Sequence, residues 1–419
     1  MRGNASRDRR GQQVFGVLDI GTSKVAAAVV VTEPGGDVRC IAGVGMQRSK
    51  GVKAGVLTDL DQAELAVRAA IGQAERAAGV TLESVSVSVS CGRVRSTHFA
   101  ANAEIESGVV TDSDIARMLD GGRAYAERDG RMLLHMNRLG YRLDGAEGVR
   151  DPSGLAARQL TAHLHAVTAD EAPLRNLLLL IERCYLGCDG LVATPYASGI
   201  ATTTEEERAI GVTVLDIGAG TTSISLFSDG RFTGAEVVPV GSQHITYDIA
   251  KTLQTPLPEA ERIKTLYGTL VSAQSDEHES FSYPLAGEED GASYQTSKAR
   301  LTDIIRPRVA QILSLVRERL ALNGASAHAG EKVVLTGGAS QLLGCCEFTA
   351  NELGRPVRLG RPSALPGVSE SINGPQFAVL MGLASAGGQL GVEGVGFPDR
   401  AAFPQGYIGR VGSWLKAGF

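Results

Sequence analysis

Two aspartates carry the first chemical signal in this chain. Asp19 lies in Val17-Leu18-Asp19-Ile20-Gly21, and the same five letters return 197 positions later as Val214-Leu215-Asp216-Ile217-Gly218. The first copy continues Thr22-Ser23-Lys24 and the second Ala219-Gly220-Thr221-Thr222-Ser223. A carboxylate at a strand end, then Gly with small hydroxyl residues, is a phosphate-binding pattern. Gly lets backbone N–H groups approach closely, and Thr and Ser hydroxyls add donors. Asp19 and Asp216 are placed to hold Mg²⁺, which keeps part of its hydration shell and takes few protein ligands. No GxxxxGK[ST] loop is present, and the run after each turn (Val25 to Val31, Ile224 to Phe227) is β-prone. Each copy therefore reads as a hairpin, and two hairpins suggest two similar lobes facing one ligand. One such turn alone is weak evidence. A third Gly-rich turn after an apolar strand, Thr336-Gly337-Gly338-Ala339, makes the set more specific, and this turn would present backbone to a nucleoside.

The elements that must position these residues can be read from pattern. Asp59 or Asp61 can cap a helix over 59–78, with Leu65, Ala69 and Ile71 on its apolar side and Gly79 as its stop. Ser84 to Ser90 alternates Ser and Val and predicts a half-buried strand. A small α/β insert comes next, with a helix from about Ile115 to Glu127 and strands at 135–144 and 160–167. His163 and His165 share one face there; without a third ligand they read as structural. Leu174 to Cys184 is an apolar helix, and Thr194 to Gly199 opens another. Glu205 to Arg208 reads as a solvated charge run. Further helices lie at 241–253, 256–267 and 299–320, the last interrupted by Pro307. Lys332 to Gln341 reads as a strand, a turn and a helix, and 375–386 as a small-residue helix.

Composition narrows the function classes. With 419 residues the chain has room for more than one domain. A net charge of −5 and 5% aromatics leave neither the basic field nor the stacking platforms that nucleic-acid binding uses. The six cysteines show no metal-ligand spacing, which fits a reducing, cytoplasmic setting. No secretory signal comes after the Arg-rich stretch 1–10, and no run reaches transmembrane length. Any membrane contact is expected to be peripheral. At the far end Tyr407, Ile408, Val411, Trp414 and Leu415 fall on one helical face, with Arg410, Ser413 and Lys416 beside it. That pattern suits an interfacial helix on anionic lipid, after a Gly/Pro-rich linker at 387–406.

The motif set resembles the actin-like nucleotide-binding superfamily. Asp19 to Lys24 is similar to its first phosphate motif, Asp216 to Thr222 to its second and Leu335 to Ala339 to its adenosine motif. Thr194 to Gly199 and Phe377 to Ala384 resemble its two connecting helices. Glu261-Arg262-Ile263-Lys264 is similar to its adenosine-contacting helix, which places Glu261 and Lys264 at the ligand. Within the superfamily the chain is most similar to the FtsA family of bacterial cell division, along nearly its whole length. Gly16 to Ala27, Ile181 to Cys184, Val333 to Gln341 and Val411 to Lys416 carry that likeness.

The resemblance implies an α/β, actin-like (ribonuclease H-like) two-lobed fold with an FtsA-type 1C subdomain and a C-terminal amphipathic helix. The expected divisions are a disordered tail at 1–13, subdomain 1A at 14–83 and 167–195, 1C at 84–166, 2A at 196–243 and 326–386, 2B at 244–325, the linker at 387–406 and a membrane-targeting helix at 407–419. It further implies ATP with Mg²⁺, self-association into filaments on the cytoplasmic face of the inner membrane at the septum, binding of the FtsZ C-terminal tail through 2B, and recruitment of downstream divisome proteins. The first connecting turn, Ala193 to Ser198, has no carboxylate or amide to activate water, which predicts weak or absent ATPase activity. The alternatives are a pilus-assembly ATPase of the PilM type and a sugar or acetate kinase; the amphipathic tail argues against both.

Overall fold

The computed structural model describes residues 6–7, 13–33, 37–287, 293–322 and 330–386. The linker 387–406 and the tail 407–419, with the membrane residues assigned to it, lie outside the described residues. Two strands, β1 (Ser6–Arg7) and β2 (Gln13–Ile20), pair antiparallel, so the tail expected to be disordered contributes a short strand.

The first lobe continues with β3 (Lys24–Thr32), β4 (Val38–Arg48), a small hairpin of β5 (Val52–Lys53) and β6 (Val56–Leu57), α1 (Leu60–Ala78) and β7 (Ser84–Val89). Asp59 caps α1 by accepting from the Gln62 N–H, and Gly79 ends it in the left-handed region (φ 68°). Leu65 and Ala69 face solvent, contrary to the expected apolar side. The buried face is Ala63, Ala66, Val67, Ala70, Ile71 and Ala74. Small residues are required because α1 lies directly on β4. A Cβ on Gly43 would sit 2.3 Å from the Ala74 carbonyl oxygen, and one on Gly45 1.9 Å from that of Ala70.

An insert comes next: β8 (Arg95–Glu104), α2 (Asp112–Ala126), β9 (Arg131–Leu143), β10 (Ala146–Val149) and β11 (Gln159–Asp170). The chain returns through α3 (Glu171–Arg183) and β12 (Gly187–Ala193) to α4 (Thr194–Thr202) and the short α5 (Glu205–Ile210). The second lobe holds β13 (Val212–Ile217), β14 (Thr222–Ser228), β15 (Arg231–Val238), α6 (Ser242–Leu253) and α7 (Leu257–Tyr267). It continues with the hairpin β16 (Ser280–Pro284) and β17 (Ser293–Ser297), α8 (Lys298–Leu322), β18 (Lys332–Thr336), α9 (Cys345–Leu353), β19 (Val357–Leu359) and α10 (Ala378–Ala386). Gly338–Gln341 is a single 3-10 turn rather than the start of the expected helix, and α9 begins only after Gly344 (φ 78°).

The repeated pentapeptide belongs to a repeated topology. The first sheet orders β12-β7-β2-β3-β4, and the second contains β19-β18-β13-β14-β15. In each, an antiparallel three-strand meander is extended by two parallel strands on the side of its first member. β7 is thus central, between β2 and β12, and is buried on both faces rather than half-buried. Ser86 and Ser88 alternate into the interior as buried polar residues. Because β7 is a first-lobe strand, the insert begins after it, not at residue 84.

The insert's sheet is continuous with the second lobe through one bridge, Arg95 to Glu236. The seam is closed by polar side chains on the β15 backbone: Ser96 accepts from the Ala235 N–H at 2.6 Å, Asn137 donates to the Phe232 carbonyl at 3.1 Å, and the rings of His98 and His165 lie 2.9 Å from the Thr233 and Phe232 carbonyl oxygens. His165 is therefore a buried structural residue at this seam. His135 accepts from the Ala193 N–H at 2.9 Å, and burial pushes its pKa down to about 3, so it stays neutral and able to accept.

Between the lobes, α4 and α10 cross at Gly382, where a Cβ would fall 1.8 Å from the Ala197 carbonyl oxygen. Their apolar faces join Val17, Ala26 and Ala28 of the first sheet in one core.

Glu207 is not part of a solvated run. It accepts from Lys332 at 2.7 Å and from the Arg358 guanidinium, tying α5 to β18 and β19. The Arg358 hydrogen bond is the main cause that holds its pKa down to about 2. A depressed carboxylate pKa contributes stability that is present above the ordinary Glu range and is lost as pH falls through about 2. Glu207→Gln is expected to cost about 1 kcal/mol at neutral pH, discounted for the solvent-facing side of the pair, and to flatten the acid limb of the stability curve below about pH 4.5. Urea unfolding from pH 7 to pH 3 checks this; parallel curves for the two proteins would contradict it.

Candidate functional site

The two turns are built alike. Gly21 N–H donates to the Lys24 carbonyl at 3.0 Å, and Gly218 N–H to the Thr221 carbonyl at 2.9 Å. Each turn closes a hairpin whose strands pair Asp19 with Ala26 and Asp216 with Ser223. The turns meet tip to tip: a Cβ on Gly220 would stand 2.3 Å from Thr22 Oγ1. They border a cleft of about 870 Å³ between the lobes.

That cleft brings together Asp19, Gly21, Thr22, Ser23, Lys24, Asp216, Gly218, Ala219, Gly220, Thr221, Glu261, Lys264, Gly337, Gly338 and Ala339. Thr222 is the exception. It is the first residue of β14, fully buried, and its hydroxyl donates to the Val240 carbonyl at 2.7 Å, so it supports the turn from below rather than lining the cleft. Lys264 is buried and donates to Glu261 at 2.7 Å and to Thr246 at 2.8 Å, which fixes the α7 pair on the wall of α6. The N-terminus of α6 is anchored in turn on the second turn, with Ser242 and Gln243 N–H donating to the Gly218 and Ala219 carbonyls. Gly337, in the left-handed region (φ 85°), lies against Asp216; a Cβ there would be 2.3 Å from Oδ1.

The carboxylates sit on the cleft floor. Ser88 donates to Asp19 Oδ1 at 2.7 Å, which gives the buried serine of β7 its role. Burial raises the Asp19 pKa against the opposing pull of Ser88 and Lys24. Burial, and then the charge of Asp19, push Asp216 up to about 7, against the pull of Lys24 and Ser198. Lys24 itself has its pKa lowered by burial; its ammonium donates to the Gln376 carbonyl and lies 3.8 Å from the centroid of the Phe377 ring. Two acids that repel one another, both facing a polar cleft, fit a hydrated divalent cation shared with phosphate oxygens. Such an ion would supply charge neutralisation between carboxylate and phosphate; the protein residues position it. Among the described residues no cluster of three or more His, Cys, Asp or Glu could cage a metal alone.

Several lining residues carried no readable sequence signal. Arg48 ends β4 and Ser49 follows it, Ser90 comes directly after β7, Gln243 is an amide at the start of α6, and Gln376 is one in the 3-10 turn Pro375–Phe377 that leads into α10. The last could have been suspected from the Gly374-Pro375 helix-start signal immediately before it.

Two topologically matched lobes, crossed helices between them and a phosphate-type turn from each facing one cleft define an actin-like protein. The structure is similar in fold to the PilM–PilN type IV pilus biogenesis complex (TM-score 0.65, 19% identity, 90% of this chain and 98% of that one). It is also similar in fold to MreB 5 of Spiroplasma citri bound to AMPPNP (TM-score 0.50, 14% identity, 90% and 95%). In sequence, residues 213–382 match the model of "Cell division protein FtsA", and residues 91–168 that of the "SHS2 domain inserted in FTSA". The cell division protein FtsA of Agrobacterium fabrum is 37% identical, covering 97% of this chain and 95% of its own length. That of Neisseria meningitidis is 33% identical (97% and 99%), and that of Escherichia coli K12 31% (96% and 97%). The chain belongs to the FtsA family of cell-division proteins.

Proposed function

We propose that this protein holds ATP and Mg²⁺ between its lobes, polymerises on the cytoplasmic face of the inner membrane at the division septum, anchors FtsZ filaments there and recruits later divisome proteins. The observation that carries the nucleotide reading is the pair of equivalent turns facing one cleft above Asp19 and Asp216. The phosphates run along Gly21 to Lys24 and Gly218 to Thr221, the cation lies at the two aspartates, and the nucleoside rests against Gly337 to Ala339 with Glu261 and Lys264. The start of α4 offers Thr194, a poor base, to the cleft. ATP therefore acts mainly as a structural ligand with weak turnover. Within 244–325, α6 and α8 border a groove of about 550 Å³ that includes Lys251, Ile304, Pro307 and Arg308; it is available to the FtsZ tail.

No described helix is long and apolar enough to cross a membrane. Attachment rests on Tyr407, Ile408, Arg410, Val411, Trp414, Leu415 and Lys416. Each large apolar side chain gains about 1.5–3 kcal/mol if fully buried, against about 1–2 kcal/mol per residue ordered. One tail binds weakly, and many tails on one filament bind together through effective concentration. Removing 407–419 is expected to abolish co-sedimentation with anionic liposomes. A truncated protein that still sediments with them would contradict the attachment.

A further inference from the structure

Arg48, the last residue of β4, and Ser49 after it line the cleft but belong to neither turn. Lys24 and Arg48 stand directly opposite one another in the antiparallel β3–β4 ladder. Like charges at facing ladder positions are destabilising, so an anion is the complement of this pair. Lys24 is held by Gln376 and Phe377, whereas Arg48 makes no hydrogen bond or ion pair to a described residue. The hydroxyl oxygen of Ser49 is buried without a partner, although its backbone N–H donates to the Ser23 carbonyl at 3.0 Å. An unpaired guanidinium beside a second cation, with an unused buried hydroxyl next to it, matches the donors that a phosphate oxygen takes.

The first turn locates these donors along the cleft, because Ser49 is hydrogen-bonded to its Ser23 and Thr22 forms its tip. Gly337 packs at the base of the second turn, against Asp216. Ala54 (φ 47°) and Gly55 pack at the tips: Gly55 N–H donates to Thr22 Oγ1 at 3.2 Å, and a Cβ on Gly220 would stand 2.9 Å from Ala54 Cα. A phosphate chain that starts near Gly337 ends near Arg48 and Ser49. We infer that Arg48 and Ser49 bind the terminal phosphate and make the cleft distinguish a nucleoside triphosphate from a diphosphate. This inference rests on the nucleotide reading above and adds the residues that set that preference.

Calorimetry of the full chain with magnesium ATP and with magnesium ADP tests it, on the unaltered protein, Arg48→Ala and Ser49→Ala. Arg48→Ala is expected to weaken ATP binding by about tenfold or more and to leave ADP binding within about threefold. Ser49→Ala acts in the same direction by a smaller factor. The nucleotide-free Arg48→Ala protein should melt no lower than the unaltered one, since a like-charge pair is relieved. An unchanged ratio of ATP to ADP affinity in Arg48→Ala overturns the inference and leaves the nucleotide reading standing. An unaltered protein that binds neither nucleotide overturns that reading and the inference with it.

Discussion

Asp216→Asn is expected to stabilise the nucleotide-free protein while removing its hold on magnesium ATP. Without a bound cation the carboxylate is a liability: burial and the neighbouring charge of Asp19 push its pKa to about 7. For a group whose folded pKa is raised, the contribution to stability is full below the unfolded carboxylate range. It is lost as pH rises through about 7. The shift corresponds to a cost of ~4 kcal/mol for the ionised form at alkaline pH. Asparagine keeps the size and loses the charge, so a gain of about 1–3 kcal/mol at pH 8 is expected, falling toward zero near pH 5. On the proposed reading the same change removes an anionic ligand of the cation, and magnesium ATP is expected to bind about 100-fold more weakly, as loss of groups that support a metal does. Thermal melts with and without nucleotide read both halves. A mutant less stable than the unaltered apo-protein at pH 8 would mean that Asp216 is an ordinary structural carboxylate.

Gly382→Val has a large effect for a mechanical reason. The position a Cβ would take is 1.8 Å from the Ala197 carbonyl oxygen and 2.9 Å from Ala197 Cα. Those are backbone atoms of α4, so no side-chain rotation makes room, and α4 and α10 must move apart. The cost is roughly 3 kcal/mol, the upper end for overpacking a core. Because α4 opens at Thr194 and α10 begins just after Gln376, both on the cleft, nucleotide binding should weaken as well. Equilibrium unfolding in urea reads the first effect; a change within about 0.5 kcal/mol, the scale of a surface substitution, would mean that the crossing is looser than its geometry implies.

The two hairpins and the third turn were legible because their signals are local: an apolar run, an acid and Gly within a few residues. What the sequence missed depends on contacts distant in the chain. Ser84 to Ser90 alternates like a half-exposed strand, yet β7 is central, and its serines turn inward because Ser88 bonds an aspartate 69 positions away. Leu65 has the type and spacing of a core residue, but the glycines on β4 bring Ala70 and Ala74 of α1 against the sheet, and Val67 and Ile71, not Leu65, fill the larger buried positions beside them. Glu207 sits in a charged run, and only β18 and β19, more than 120 residues later, bring Lys332 and Arg358 to it. Thr222 reads as a phosphate donor by continuity with Thr221, and the two-residue strand period turns it inward instead. The seam between the insert and β15 rests on one bridge, a few polar side chains and the packing of Phe232 against His135 and His165, contacts between segments distant in the chain.

The central claim is that the paired turns and their two aspartates form one cation-assisted nucleotide clasp. Titration of magnesium ATP into the unaltered protein and into Asp216→Asn, at pH 8 and at pH 6 in buffers of different ionisation enthalpy, tests it most directly. The account predicts binding by the unaltered protein that weakens at pH 6 and releases a proton there, with both the affinity and the proton release lost in Asp216→Asn. Equal affinity in the two proteins, with no proton released by either, would contradict it.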